Sequence, residues 1–487
     1  MSDLLAGAGV LVAAASAAAS ILLPAGRARS AAMLTALVLF PALILGDQWH
    51  SPQIVDLRDE PARLIVLGAA ALAAAVALAY LFTRWPMLLP LAIVAALPFR
   101  IPLHAGGDTA NLLVPLYVVI AGGVLAYALR EWDVSQAAAR VRLLPLVLAG
   151  VVVLYALQTL YSPDFSKSLQ NVCFFFVPFS LVYGLLRNVD WSRKLLSYAL
   201  WLVAIEAVAF VVVGSIEYLS HDLFWNDQVI RSNDFHTYFR VNSIFWDPNV
   251  YGRYLALAIV IAMAALLWAK ERRTIALLTG LVAVLWLGLV PTFSQSSFAA
   301  LLAGLAVLAA LRWSWRWTLG AVGAGAVLAA IIVLFAGGIS KLSPDRLNVD
   351  TGGRANLVSG GTDLFAQRPL WGYGAGSFPR AYREHIATKK APVSVSHTEP
   401  VTVAAEQGLI GLAAYAALIA TALWTMSSGL FAARALSPPP ARPAVLAAFV
   451  ALLVHTMAYA GFYEDPIAWV LLATGASLAM TPVRTET

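Results

Sequence analysis

Ser396-His397-Thr398-Glu399, followed after six residues by Glu406-Gln407-Gly408-Leu409-Ile410-Gly411, is a polar edge that turns directly into an apolar helix. It closes the longest polar segment of the chain, and the run 406–426 that begins there is long enough to cross a bilayer. A titratable histidine is thereby held at a membrane surface, about ten residues before a Gly-x-x-Gly.

The same alternation of polar edge and apolar run recurs outward from this stretch. The 487 residues are 61% hydrophobic and 12% charged, with a mean hydropathy of +0.79. A soluble domain is roughly half apolar and a quarter charged, so this composition is that of an integral membrane protein. Spans are expected near 4–23, 31–46, 64–82, 87–99, 111–129, 143–160, 171–186, 195–218, 250–269, 275–290, 297–311, 318–336, 406–426, 444–463 and 467–480. The fold class is therefore all-α: a polytopic membrane helix bundle of about 14–15 spans, one transmembrane domain over 1–487. The run 87–99 is short and ends in Pro98-Phe99-Arg100-Ile101-Pro102, which leaves a re-entrant segment as its alternative.

The net charge of +6 is explained by topology rather than by nucleic-acid binding. Alternate loops carry Arg27/Arg29, Arg84, Arg130/Arg140/Arg142, Arg187/Arg193/Lys194, Lys270/Arg272/Arg273, Arg312/Arg316, Arg434/Arg442 and Arg484. Short loops rich in Lys and Arg stay cytoplasmic, so this set is inside. The opposite loops (47–63, 100–110, 161–170, 219–249, 291–296, 337–405, 464–466) hold most of the acids and lie outside. Asp3 before the first span and Arg27/Arg29 after it read as a retained anchor rather than a cleaved signal. The single cysteine, Cys173, cannot form an internal disulfide.

Two outside loops stand apart by length, 219–249 and 337–405. Loops that long are uncommon unless functional or disordered, and these are too rich in Trp, Tyr, Phe and Gly for disorder. A short helix is expected over 353–366, before the turn-rich Trp371-Gly372-Tyr373-Gly374-Ala375-Gly376.

These loops also concentrate arginine: Arg231, Arg240 and Arg253 at the first, then Arg346, Arg354, Arg368, Arg380 and Arg383 in the second. Surplus arginine outside runs against the topology rule. Guanidinium groups grip phosphate with paired hydrogen bonds, so a lipid-linked diphosphate at the outer leaflet is the partner they suit. Salt bridges to Asp222, Asp227, Asp234, Asp345 or Asp363 are the competing reading. Arg253 lies one turn inside its span, where a charge must face the bundle interior or snorkel to the surface. His397 can serve as a general base, with Glu399 orienting it or acting in its place. His236 and His385 have no motif around them, and Glu206, mid-span, reads as protonated or paired. No Asp-x-Asp, zinc-spaced His/Cys cluster, Walker A motif or Gly-x-Ser-x-Gly occurs, so no metal or other cofactor is expected.

At this point the residues resemble a known family. His397-Thr398, nine residues, then Gly408-x-x-Gly411 resembles the His-[Asn/Ser]-x9-Gly-x-x-Gly pattern of the O-antigen ligases. Arg253-Tyr254-Leu255-Ala256-Leu257 is similar to their Arg-x3-Leu motif, and Asp247-Pro248-Asn249 recurs there too. Gly353-Arg354 with Arg368 to Phe378 is similar to the loop before the histidine throughout the O-antigen ligase and polymerase superfamily. Thr398 stands where Asn or Ser is usual, and the N-terminal spans are more numerous than usual. The resemblance covers roughly 230–425.

It implies a multi-pass protein of the bacterial cytoplasmic membrane. That protein moves a glycan from undecaprenyl diphosphate to an acceptor hydroxyl, with inversion and without metal. The implied partners are the lipid-linked donor, a glycolipid or glycan acceptor such as lipid A-core, and membrane lipids. On that reading His397, Arg253 and Arg354 are catalytic, while Arg231, Arg240, Arg380 and Glu399 bind substrate. Polymerase and protein O-glycosylation remain alternatives within the superfamily. A polysaccharide flippase would instead place its charges at mid-membrane, and a lipid-binding scaffold would not need His397.

Overall fold

The computed structural model describes residues 3–51, 55, 60–105, 108–130, 142–225, 229–230, 233, 238–325, 353–386, 395–430 and 440–480. Arg231, His236, Arg346 and most of the expected span 318–336 lie outside the described residues. Among those described, the chain is an all-α polytopic bundle with one small antiparallel hairpin, Ile101–Ala105 with Asp108–Leu112. Nine described helices are long and apolar enough to cross a membrane, from Leu4–Leu22 to Glu399–Ser427. Four shorter apolar helices accompany them, Val114–Ala128, Leu143–Thr159, Ala441–Thr456 and Pro466–Met480.

Two expected boundaries shift, and both shifts matter. The helix Leu88–Ala96 has nine residues, about 14 Å of rise, roughly half of what a span needs. Pro98 and Pro102 flank the strand start, so the segment leaves the helix there and delivers Arg100 to one end of the bundle. The helix Ala441–Thr456 stops well short of residue 463, which frees 457–465 as a loop before Pro466 opens the last helix.

Two packed groups form the core. Pro248–Trp268, Arg272–Leu289, Gln295–Arg312 and Ala441–Thr456 pack together, and Asp3–Leu22 packs against Arg27–Asp47, Leu143–Thr159 and Val177–Leu186. The helix Glu399–Ser427 lies on Leu143–Thr159, and Pro466–Met480 joins the two groups through Val177–Leu186 and Ala441–Thr456. Ile65, Val66, Leu72 and Tyr80 on the third span stay exposed, as a lipid-facing surface requires. Arg29, expected in an inside loop, is buried; it donates to the Gly184 carbonyl and sits 5.3 Å from the Tyr127 ring.

Hydrogen bonds sort the loops into two ends. Ser166 to Asp47, Tyr161 to the Trp371 carbonyl, Arg240 to the Thr292 carbonyl and Tyr459 to Asp247 join loops at one end. Arg442 to the Ser428 carbonyl and Arg312 to the Leu267 carbonyl lie at the other.

Candidate functional site

The site is assembled around a broken helix. Within Glu399–Ser427, Gly408 takes φ 65° and ψ −163°, a left-handed backbone that only glycine adopts cheaply. The break frees backbone groups, and a glycine-rich turn takes them. The Tyr373 amide donates to the Ala405 carbonyl (3.1 Å), Gly374 to Glu406 (2.8 Å) and Leu409 to Pro369 (2.7 Å). Glu406, buried beside the break, accepts from the amides of Gly376 and Phe378, each at 2.9 Å. This docking explains why the turn is so rich in glycine. A Cβ at Gly408 would lie 2.4 Å from the Leu370 carbonyl oxygen, and one at Gly372 would lie 2.3 Å from that of Glu406. Gly408→Ala is expected to cost at least ~2 kcal/mol, from left-handed strain plus overpacking. A lowered thermal midpoint of the detergent-solubilised protein would register it.

His397 immediately precedes this helix, itself at φ 62°, an unusual conformation for a residue with a side chain. Ser396 holds the turn in place: its hydroxyl meets the Thr398 amide at 3.3 Å and Thr402 Oγ1 at 2.8 Å. The imidazole packs edge-on to Tyr459, centroids 6.4 Å apart. Tyr459 Oη donates to Asp247 Oδ2 at 3.3 Å, while Asp247 Oδ1 caps the next helix by accepting from the Asn249 amide at 2.6 Å.

Burial lowers the His397 pKa below the usual histidine value, the charge of Arg354 lowers it further, and Asp247 partly opposes both. The imidazole is therefore neutral at neutral pH and able to accept a proton. If it acts as a base, protonation abolishes activity, so the acid limb of kcat/KM for transfer is expected below pH 6.5. An acid limb above that value would show that another group limits the reaction.

The arginines separate into those the fold gathers and those it does not. Arg253 is 4% exposed and pairs with Asp465, Nη2 to Oδ2 at 3.0 Å; it faces the bundle interior and does not snorkel. Arg240 donates to the Thr292 carbonyl (2.9 Å) and to Asn249 Oδ1 (3.2 Å). Arg354 opens the helix Arg354–Gln367, close to the 353–366 expected, and its charge acts on both His397 and Arg240. Arg380 stays at the surface, paired with Glu384 at 2.9 Å and donating to the Pro163 carbonyl. Glu399, expected beside the imidazole, instead accepts from the amides of Gly461 (2.6 Å) and Phe462 (3.0 Å). A buried carboxylate needs such donors, so Glu399 ties His397's turn to the 457–465 loop. Mid-span Glu206 is paired, accepting from Tyr254 Oη at 2.8 Å.

Three participants were not singled out from sequence. Arg100 lines a pocket of about 360 Å³ together with Asp247, Tyr459, Trp225 and Phe245. Burial lowers its pKa, with Asp465 opposing and Arg253 reinforcing, so it belongs to the same charge cluster. Asp465 and Tyr459 come from the loop freed by the early end of its helix. The signals were present in outline: an arginine between two prolines, and acids in the shortest outside loop.

Residues 280–416 match the O-antigen ligase family model. The match supports the superfamily, one of glycosyltransferase-like membrane enzymes, and it includes Arg354, His397, Glu406 and Gly408. Arg100, Asp247, Arg253 and Asp465 lie outside the matched stretch, and it is the fold that brings them to it. No curated protein matches the chain. Multi-pass helices and an O-antigen ligase domain together fit a bacterial inner-membrane protein acting on lipid-linked glycans. Among the described residues, no group of three His, Cys, Asp or Glu side chains converges as a metal site would require.

Proposed function

We propose that this chain is a metal-independent, ligase-type glycosyltransferase that works at the outer, periplasmic face of the cytoplasmic membrane. It moves a glycan from undecaprenyl diphosphate to an acceptor hydroxyl, with lipid A-core or a similar carrier as acceptor. The described parts of the loops 219–249 and 337–405 supply Arg240, Asp247, Arg354 and His397 to the reaction centre. The observation that carries this reading is the setting of His397: its ring packs edge-on to Tyr459, Tyr459 donates to Asp247, and the charges of Arg354 and Arg100 act on His397 and on Tyr459 respectively.

The donor diphosphate lies among Arg100, Arg354 and Arg240, with Arg253 behind them, and the lipid tail follows the aromatic wall of the pocket into the bilayer. His397 removes the proton of the acceptor hydroxyl. That oxygen attacks the anomeric carbon from the face opposite the diphosphate, and the bond from the carbon to the diphosphate oxygen breaks with inversion. Negative charge grows on the leaving diphosphate, where fixed guanidinium groups stabilise it more than they stabilise the ground state.

The test is transfer in proteoliposomes, with undecaprenyl-diphosphate glycan, lipid A-core and EDTA. Wild type is expected to label lipid A-core. Arg354→Lys should lose at least about tenfold in rate, since a point charge cannot keep the paired grip. Lengthening of the lipid-linked glycan with no labelled lipid A-core would make the chain a polymerase. Full dependence on added metal would overturn the proposed mechanism.

A further inference from the structure

The loop 457–465 contributes to two pockets. Tyr459 lines the one that holds Arg100, while Gly461, Tyr463 and Glu464 line a second, of about 70 Å³. Val395 and Glu399, two residues to either side of His397, also line the second pocket. Its chemistry differs from that of the first. Glu399 and Glu406 lie on its buried side, and Lys167 and Glu464 lie exposed on its rim.

Asn171 lines it too, only 5% exposed. Its Nδ2 donates to Tyr155 Oη at 2.9 Å, but its Oδ1 has no hydrogen-bond partner among the described residues. An unpaired buried carbonyl oxygen is costly unless a ligand or water donates to it. Asn171 immediately precedes a π-helical turn, Val172–Phe176, a distortion that is frequent at functional sites. Phe176, which ends that turn, stacks on Tyr155 with centroids 4.0 Å apart, and both rings line the pocket.

We propose that this second pocket is the subsite for the acceptor sugar, a role that rests on the glycosyl-transfer reading. The unpaired carboxamide oxygen of Asn171 and the exposed Glu464 carboxylate present acceptor atoms, so the pocket takes a group that donates, a sugar hydroxyl or amine. Phosphate or carboxylate, having only acceptors, cannot donate to the Asn171 oxygen. A single water occupies roughly 10–15 Å³ on this measure, so the space admits one polar edge of a sugar and not a whole ring. An acceptor anchored there has its next hydroxyl beside the turn that carries His397. The anionic donor stays on the arginine side, and the reaction centre lies between the two.

The test uses the full chain in nanodiscs and measures binding apart from turnover. Core oligosaccharide is titrated against wild type, Asn171→Leu and Glu464→Arg, and undecaprenyl diphosphate is titrated in parallel. Acceptor affinity is expected to fall about tenfold in each variant, with donor affinity unchanged. Glu464→Arg is at the exposed rim and carries the test even if the buried Asn171→Leu fails to fold. An oligosaccharide ending in phosphate should bind wild type at least about tenfold more weakly than its neutral counterpart, and Glu464→Arg should narrow that gap. Equal acceptor affinity across the variants, or no acceptor binding by wild type, would overturn the subsite. Donor turnover is scored separately in proteoliposomes, so a failure of the transferase reading is distinguished from a failure of the pocket.

Discussion

Replacing His397 by alanine is expected to lower glycan transfer by about 10²–10⁴-fold, the contribution typical of a positioned general base. The residue also holds a left-handed turn at φ 62°, so loss of rate in the alanine variant alone could reflect a disturbed backbone. His397→Asn separates the two roles. Asparagine tolerates the left-handed region better than most residues and cannot act as a base at neutral pH. The asparagine variant should therefore keep the wild-type thermal midpoint and donor affinity while losing transfer to the same degree. It should also lose the acid limb that the lowered pKa of His397 places below pH 6.5. Transfer by His397→Asn at more than about a tenth of the wild-type rate would remove the imidazole from proton transfer and leave it a structural turn residue.

What the sequence made legible here follows from periodicity and charge, which act locally. Apolar runs and alternating loop charge are set residue by residue, so spans such as 250–269 and 406–426 fall close to the helices observed. The helix at Arg354–Gln367 was equally readable, because Gly353 marks its start and polar residues surround it. Expectation and structure part mainly where a distant partner decides. Glu399 reads as a neighbour of His397 because it is two residues away. The helix it opens turns its carboxylate toward Gly461 and Phe462 instead. Arg380 reads with the other outside arginines, and there the deciding partner is local: Glu384, one helical turn on, pairs with it at the surface. Arg100 carries no local signal, because its value depends on Asp465 and Arg253, far away in the chain. Even Gly408, recognised as part of a Gly-x-x-Gly, gave no hint that it breaks the helix to receive another turn's backbone.

The pairing of Arg253 with Asp465 carries the other large effect. Both side chains are almost fully buried, at 5% and 3% exposure, and the Arg253 Nε has no hydrogen-bond partner among the described residues. Asp465→Ala would leave that guanidinium buried without its counter-charge, which costs about 3–5 kcal/mol. Cys173 offers the measurement, because it is the only cysteine and is fully buried. A thiol-reactive fluorophore will label it only as the bundle opens, and the Asp465→Ala curve should shift to clearly lower temperature. Replacing both partners by apolar residues of similar size, Arg253→Met with Asp465→Leu, should recover most of the midpoint, since no buried charge then remains. If Arg253 also steadies the donor diphosphate beside Arg100, the double variant will be stable yet deficient in transfer. A double variant that regains both stability and rate would make the ion pair purely structural and assign the diphosphate to Arg100, Arg240 and Arg354. An Asp465→Ala curve that overlays wild type would mean that Arg253 is neutralised by another group, and the pair would lose its place in both arguments.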